Sequence, residues 1–164
     1  MGLVFLSAVG LALADNASLQ NDKANLNTKV GNDQKGISQA DSNMGEDTNA
    51  INSSNDNIKS YKKSFNEHYA NLLRDRRLMK EAEAKGDLAK AKSKKADIMW
   101  DHRALNKDEA RIKRARINRK ASIKDLKNDR SHRDSDVSKL NDNDEKLDKT
   151  NEKMADQKQD SATK

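Results

Sequence analysis

Apolar side chains recur at every seventh position from Val30 to Met79: Val30, Ile37, Met44, Ile51, Ile58, Phe65, Leu72 and Met79. A seven-residue apolar repeat held this long predicts a long helix with one narrow stripe to bury against another helix. With Val30 taken as heptad position a, the d row holds Leu19, Leu26, Ala40, Tyr61 and Ala82, but also Asp33, Asp47, Ser54, His68 and Asp75. A seam built half from small or charged groups packs loosely. Between Gly31 and Asn57 the local composition also favours turns over helix, and each glycine there costs about 1 kcal/mol relative to alanine. This part is expected to be helical only when partnered.

The sharpest break is Lys85-Gly86-Asp87, where Gly suits a helix C-terminus and Asp can cap the next helix. A second series starts at once with Leu88 and Ala91. It continues through Ile98, Leu105, Ile112, Leu126, Leu140, Leu147 and Met154, read as d, with Leu88, Ile123 and Val137 at a; Arg119 and Arg133 interrupt the d row and Arg130 the a row. Asn106-Lys107-Asp108-Glu109 fits a capping box, but the apolar rows pass through it in phase, which favours an unbroken helix.

The fold class predicted is therefore all-α: a long helical hairpin or coiled coil with two arms, a turn near Gly86 and no sheet. Residues 15–154 form the helical region, with arms at about 16–84 and 88–154, each roughly 100 Å long at 1.5 Å per residue; residues 155–164 are expected to be disordered. In the antiparallel register Leu72 falls near Trp100 and Phe65 near Lys107. Tyr61, Phe65, Tyr69 and Trp100 then gather in the turn-proximal half, which is expected to hold most of the stability.

Composition agrees with stripes rather than a globular core. Hydrophobic residues make up 33% and charged residues 37%, too little apolar side chain for a sphere, and proline is absent. Cysteine is absent too, which excludes disulfides, thiolate ligands and thiol nucleophiles. The net charge of +6 is unevenly spread: residues 61–133 carry 23 basic and 11 acidic groups, while the flanking segments are acidic.

Residues 1–14 read as a secretory signal peptide. An apolar run from Gly2 ends in Ala12-Leu13-Ala14 and meets Asp15, although no Lys or Arg precedes it. The alternative, an uncleaved membrane anchor, is short against a span of about 20 residues. The location this predicts is exported, periplasmic or extracellular.

The densest charge run lies at Arg111, Lys113, Arg114, Arg116, Arg119 and Lys120, with Ile112 and Ile117 left to pack. Such a run is either a polyanion site or, as more often on long helices, a solvated face; no aromatic is interleaved for base stacking. His68 and His102 come close in the hairpin register, which allows a metal or pH-sensitive pair. Two ligands without a third define no site, so seam or surface histidines are favoured. GxSxG, P-loop, GxGxxG and HExxH motifs are all missing, and a thin helical pair offers no pocket to desolvate a nucleophile. Neither an enzyme, a cofactor, a metal nor a small-molecule substrate is expected.

In outline an exported, basic, helical chain of this size resembles the trimeric periplasmic chaperones with helical-hairpin arms. The Asn-, Asp- and Ser-rich heptads between Leu19 and Ile51 resemble those of helical envelope lipoproteins. The chain lacks the strands of the first group and the lipid-bearing cysteine of the second, and no residue's role is carried over from either. The leading expectation is an exported, non-enzymatic coiled-coil spacer or interaction rod whose first partner is itself, through helix pairing within or between chains. The alternative is a binding module, for a polyanion or a client protein, whose basic turn-proximal half takes an anionic polymer, anionic lipid or acidic protein.

Overall fold

A computed structural model describes the backbone of residues 5–162 and the side chains of residues 17–159. The segment read as a signal peptide, residues 1–14, lies outside the residues whose side chains are described. Two helices, α1 (Phe5–Ala84) and α2 (Leu88–Ala162), pack as an antiparallel hairpin, and no strand occurs among the described residues. With no proline anywhere, nothing obliges either helix to end except the turn. Helix α2 runs through Asn106 without a break. It also continues to Ala162, past Met154, where disorder was expected; the segment has neither proline nor glycine to stop it.

The turn is built by Lys85, Gly86 and Asp87. Gly86 takes a left-handed φ of 68°, which a side chain would strain. Its N–H donates to the carbonyl of Glu83 (3.1 Å) and that of Asp87 to the carbonyl of Ala82 (2.9 Å), the paired bonds of a Schellman motif. Asp87 then caps α2, its Oδ1 accepting from the N–H of Lys90 at 3.0 Å. One three-residue segment thus satisfies the end of one helix and the start of the next.

The chain divides into two compact units. The turn-proximal unit is Gly45–Lys127; the terminal unit joins Met1–Met44 to Asn128–Lys164. In the first, the register follows from cross-helix contacts: Ser64 Oγ donates to Asp108 Oδ2 at 2.6 Å, and His68 sits between Asp101 and Asp108. Phe65 is therefore level with Asp108, and His68 with Leu105, within a residue of the expected register.

This register changes the reading of the seam. The apolar row of α2 (Ile98, Leu105, Ile112, Leu126) is accompanied by a row three residues on, not three residues back: Asp101, Asp108, Ala115 and Ser122 are buried or half-buried. Leu88 and Ile123, expected in the seam, are 76% and 45% exposed. Both helices thus carry one apolar row and one row of small or polar groups, and the apolar row of each is level with the polar row of the other. Bulky side chains meet short ones, which lets two thin helices approach closely. The deepest apolar positions of the turn-proximal unit are Leu72, Ala82, Ala91, Leu105 and Ala115.

The aromatic core is smaller than expected. Phe65 and Tyr61 are half-buried, but Tyr69 and Trp100 are 50% and 61% exposed, because they fall outside the a and d rows. Phe65 stacks on Tyr69 with ring centroids 6.5 Å apart, and Trp100 sets its edge against His68 at 5.1 Å.

The terminal unit repeats the pattern with shallower burial. Ala40 is its one fully buried apolar residue among those described, while Val30, Ile37, Met44, Leu140, Leu147 and Met154 are half-buried. Arg133 Nε donates to Asp41 (2.6 Å) and Asn143 Nδ2 to Asp33 (2.7 Å) across the pair. Gly36 lies so close to Asp136 that a Cβ there would fall 2.5 Å from Oδ2. The glycine-rich part of α1 is helical throughout, partnered by α2.

Candidate anionic-partner interface

The turn-proximal unit has 22 Lys and Arg against 13 Asp and Glu. Three of those acids, Asp75, Asp101 and Asp108, are 4%, 3% and 2% exposed. Asp75 and Asp108 meet hydrogen-bonding partners, as buried charge requires, whereas Asp101 has the His68 ring beside it. Asp75 takes Lys94 at 3.3 Å and Arg74 at 3.5 Å; Asp101 lies 3.5 Å from His68 Nδ1; Asp108 accepts from Ser64 and from Arg111 at 3.4 Å. The Asp97 carboxylate hydrogen-bonded to Lys94 holds that ammonium protonated above the usual lysine range, helped by Asp75 and opposed by burial.

The six residues of the basic run do not act as one cluster. Arg111 turns to the seam, where its guanidinium lies 5.4 Å over the Tyr61 ring while it also meets Asp108. Lys113, Arg116 and Lys120 line a shallow groove of about 370 Å³ with Ile112, Ile117 and one acid, Glu109. Arg114 and Arg119 are exposed outside it, and Arg119 is the one member of the α2 apolar row that stays in solvent.

A second groove, of about 830 Å³, lies nearer the turn and was not anticipated. Leu73, Met79, Ile98 and Met99 form its floor; Arg76, Arg77, Lys80 and Lys95 surround it, with Glu81 the single acid. Leu73 and Met99 are about half exposed, at 48% and 52%. The signal for it was present: Tyr69, Leu73, Arg76 and Lys80 recur at intervals of three or four, one face of a helix beside the seam. Searching for a seven-residue period passes over this second stripe.

The two histidines do not pair. His68 is engaged by Asp101, Asp108 and Trp100, whereas Arg76 donates to His102 Nε2 at 3.1 Å. Among the described residues no group of three or more His, Asp or Glu is arranged to hold a metal ion. No helix among them is long and apolar enough to cross a membrane. No family model, curated protein or solved structure matches the chain, so a functional reading rests on this geometry.

Proposed function

We propose that the protein is an exported, non-enzymatic helical-hairpin binding module that holds an anionic partner on the basic surface of its turn-proximal unit. The observation that carries this reading is a unit with 22 Lys and Arg against 13 Asp and Glu, whose two grooves are each lined by three or four bases and a single acid. Because the chain supplies its own partner helix, the outward faces stay free for another molecule. Binding would be electrostatically steered and would weaken steeply with salt. Export rests on the apolar segment before Asp15 alone.

Heparin and anionic vesicles, titrated against the full chain over a salt series, test this. Neutralising Arg114, Arg116, Arg119 and Lys120 to Gln, while leaving Arg111 to its seam contacts, should weaken binding by tenfold or more with helicity unchanged. Absence of binding to either probe at low salt would sink the proposal. A second reading, a spacer rod, is favoured by the lengths of α1 and α2, 80 and 75 residues, far beyond what a binding surface of two short grooves requires.

A further inference from the structure

We infer that the groove floored by Leu73, Met79, Ile98 and Met99 is a docking site for an acidic amphipathic helix of a partner protein, which packs there as a third helix. The inference rests on the proposed anionic-partner reading and names the partner's chemistry. Three observations converge on it. The floor is shared by both helices, with Leu73 and Met79 from α1 and Ile98 and Met99 from α2, so it is the kind of furrow that receives ridges from another helix. Leu73 to Met79 covers about two helical turns, enough for anchors at i, i+3 or i+4, and i+7. Two of the four floor residues are methionine, whose flexible thioether moulds to different apolar partners.

Charge selects among possible occupants. Four cations surround the floor and one acid interrupts them. A basic amphipathic helix would be repelled; Arg77 already meets Glu81 at 3.8 Å, and a neutral helix would give Lys80 and Lys95 no counter-charge. A helix with Leu or Ile on one face and Glu or Asp beside it satisfies both the floor and the rim. An extended anionic polymer could meet the cations but would leave Leu73 and Met99 in water. An anionic membrane surface fits less well, because the exposed apolar groups do not share a plane. Met99 lines the groove, while Trp100, next in sequence and about 100° further round the helix, packs its edge on His68. Leu88, the most exposed large apolar residue of those described, does not line the groove at all.

The test uses the full chain and two synthetic 21-residue peptides with the same Leu heptad face, one flanked by Glu and the other by Lys. Heparin and phosphatidylglycerol vesicles serve as parallel probes. The Glu peptide is expected to bind and gain helicity, the Lys peptide to bind at least tenfold more weakly. Leu73→Asp and Met99→Asp, both at exposed positions where folding can be checked by circular dichroism, should weaken the Glu peptide by tenfold or more and leave heparin affinity within twofold. Arg76→Gln with Lys80→Gln should reduce the salt dependence of peptide binding. If heparin binds and the Glu peptide does not, or if the peptide binds equally to the Asp variants, the groove assignment is overturned and the broader reading survives. If vesicles bind through Leu73 and Met99 while the peptide does not, a lipid surface replaces the helix and the inference also fails. If no anionic probe binds, the failure belongs to the proposed function itself.

Discussion

The terminal unit and the turn-proximal unit carry the same heptad pattern at different depth. In the turn-proximal unit Leu72 and Leu105 are nearly inaccessible, at 2% and 8%, and buried acids find Ser64, Lys94 or Arg111. In the terminal unit Val30, Ile37 and Leu140 keep partial contact with water, and the groove beside them is polar, with Lys29, Lys139 and Lys146 set against Asp33 and Asp142. The periodicity is equal; the depth is not. An apolar repeat specifies which face meets the partner helix, whereas the size of the flanking side chains sets how far water is excluded. Leu and Phe supply area in one unit, where Val, Gly, Asn and Ser leave gaps in the other.

The largest test of this contrast is truncation within each seam. Leu72→Ala should cost about 2–4 kcal/mol of unfolding free energy, as expected for a buried Leu. Ile37→Ala, at a half-buried site, should cost roughly 1 kcal/mol. Urea denaturation of both variants measures the difference, and equal costs would erase the distinction between the units.

Glycine substitutions act on a smaller scale and divide by position. Gly31 and Gly45 have open space where a Cβ would stand, so Gly31→Ala and Gly45→Ala should each raise stability by about 1 kcal/mol through helix propensity. Gly36→Ala should gain less or lose, because its methyl must push aside Asp136, which also holds Lys139 at 2.8 Å. Gly86→Ala should destabilise by about 1 kcal/mol, since its backbone is left-handed. Thermal melts of the four variants give the order directly.

The smallest effect is that of pH. Lys149 hydrogen-bonded to Glu145 holds that carboxyl below the ordinary glutamate value. The resulting stabilisation is present above that ordinary value and is lost as pH falls through the lowered one. Lys94, whose pKa is raised chiefly by Asp97, contributes fully below the usual lysine value and loses its contribution as pH rises through the raised one. Mild acid should therefore loosen the terminal unit slightly at Glu145, and strong alkali the turn-proximal unit at Lys94. Site-resolved amide exchange across pH reads both, and the exposed Glu145–Lys149 pair should fade with added salt.

Against these expectations, the hairpin, its turn and its register were legible because they rest on period and punctuation. Val30 to Met79 at intervals of seven, a lone Gly-Asp break and matched arms leave few alternatives. The polar half of the seam was not legible. Burial of Asp101 and Asp108 contradicts side-chain hydropathy, and Ser64 and His68 from the facing helix, with Arg111 one turn along α2, make it tolerable. Yet a faint trace existed, since Asp101, Asp108, Ala115, Ser122, Asp129 and Asp136 are all short and each follows its neighbour by seven. Trp100 misled for the opposite reason: its size suggested core, but its heptad position lies outside the seam. Within the basic run, Arg111 was grouped with its neighbours by sequence and separated from them by helix phase.

The tight turn at Gly86 also orders the events of folding. Contacts across the pair join residues 19 apart at Asp75 and Lys94, then 44 at Ser64 and Asp108, 92 at Asp41 and Arg133, and 110 at Asp33 and Asn143. Closing the longest of these loops first would cost the most chain entropy, whereas each contact made near the turn shortens the effective loop for the next. The hairpin should close as a zip that starts beside Asp87 and travels toward the termini. Residues near the turn would then govern how fast the chain folds, and those near the termini how often it opens.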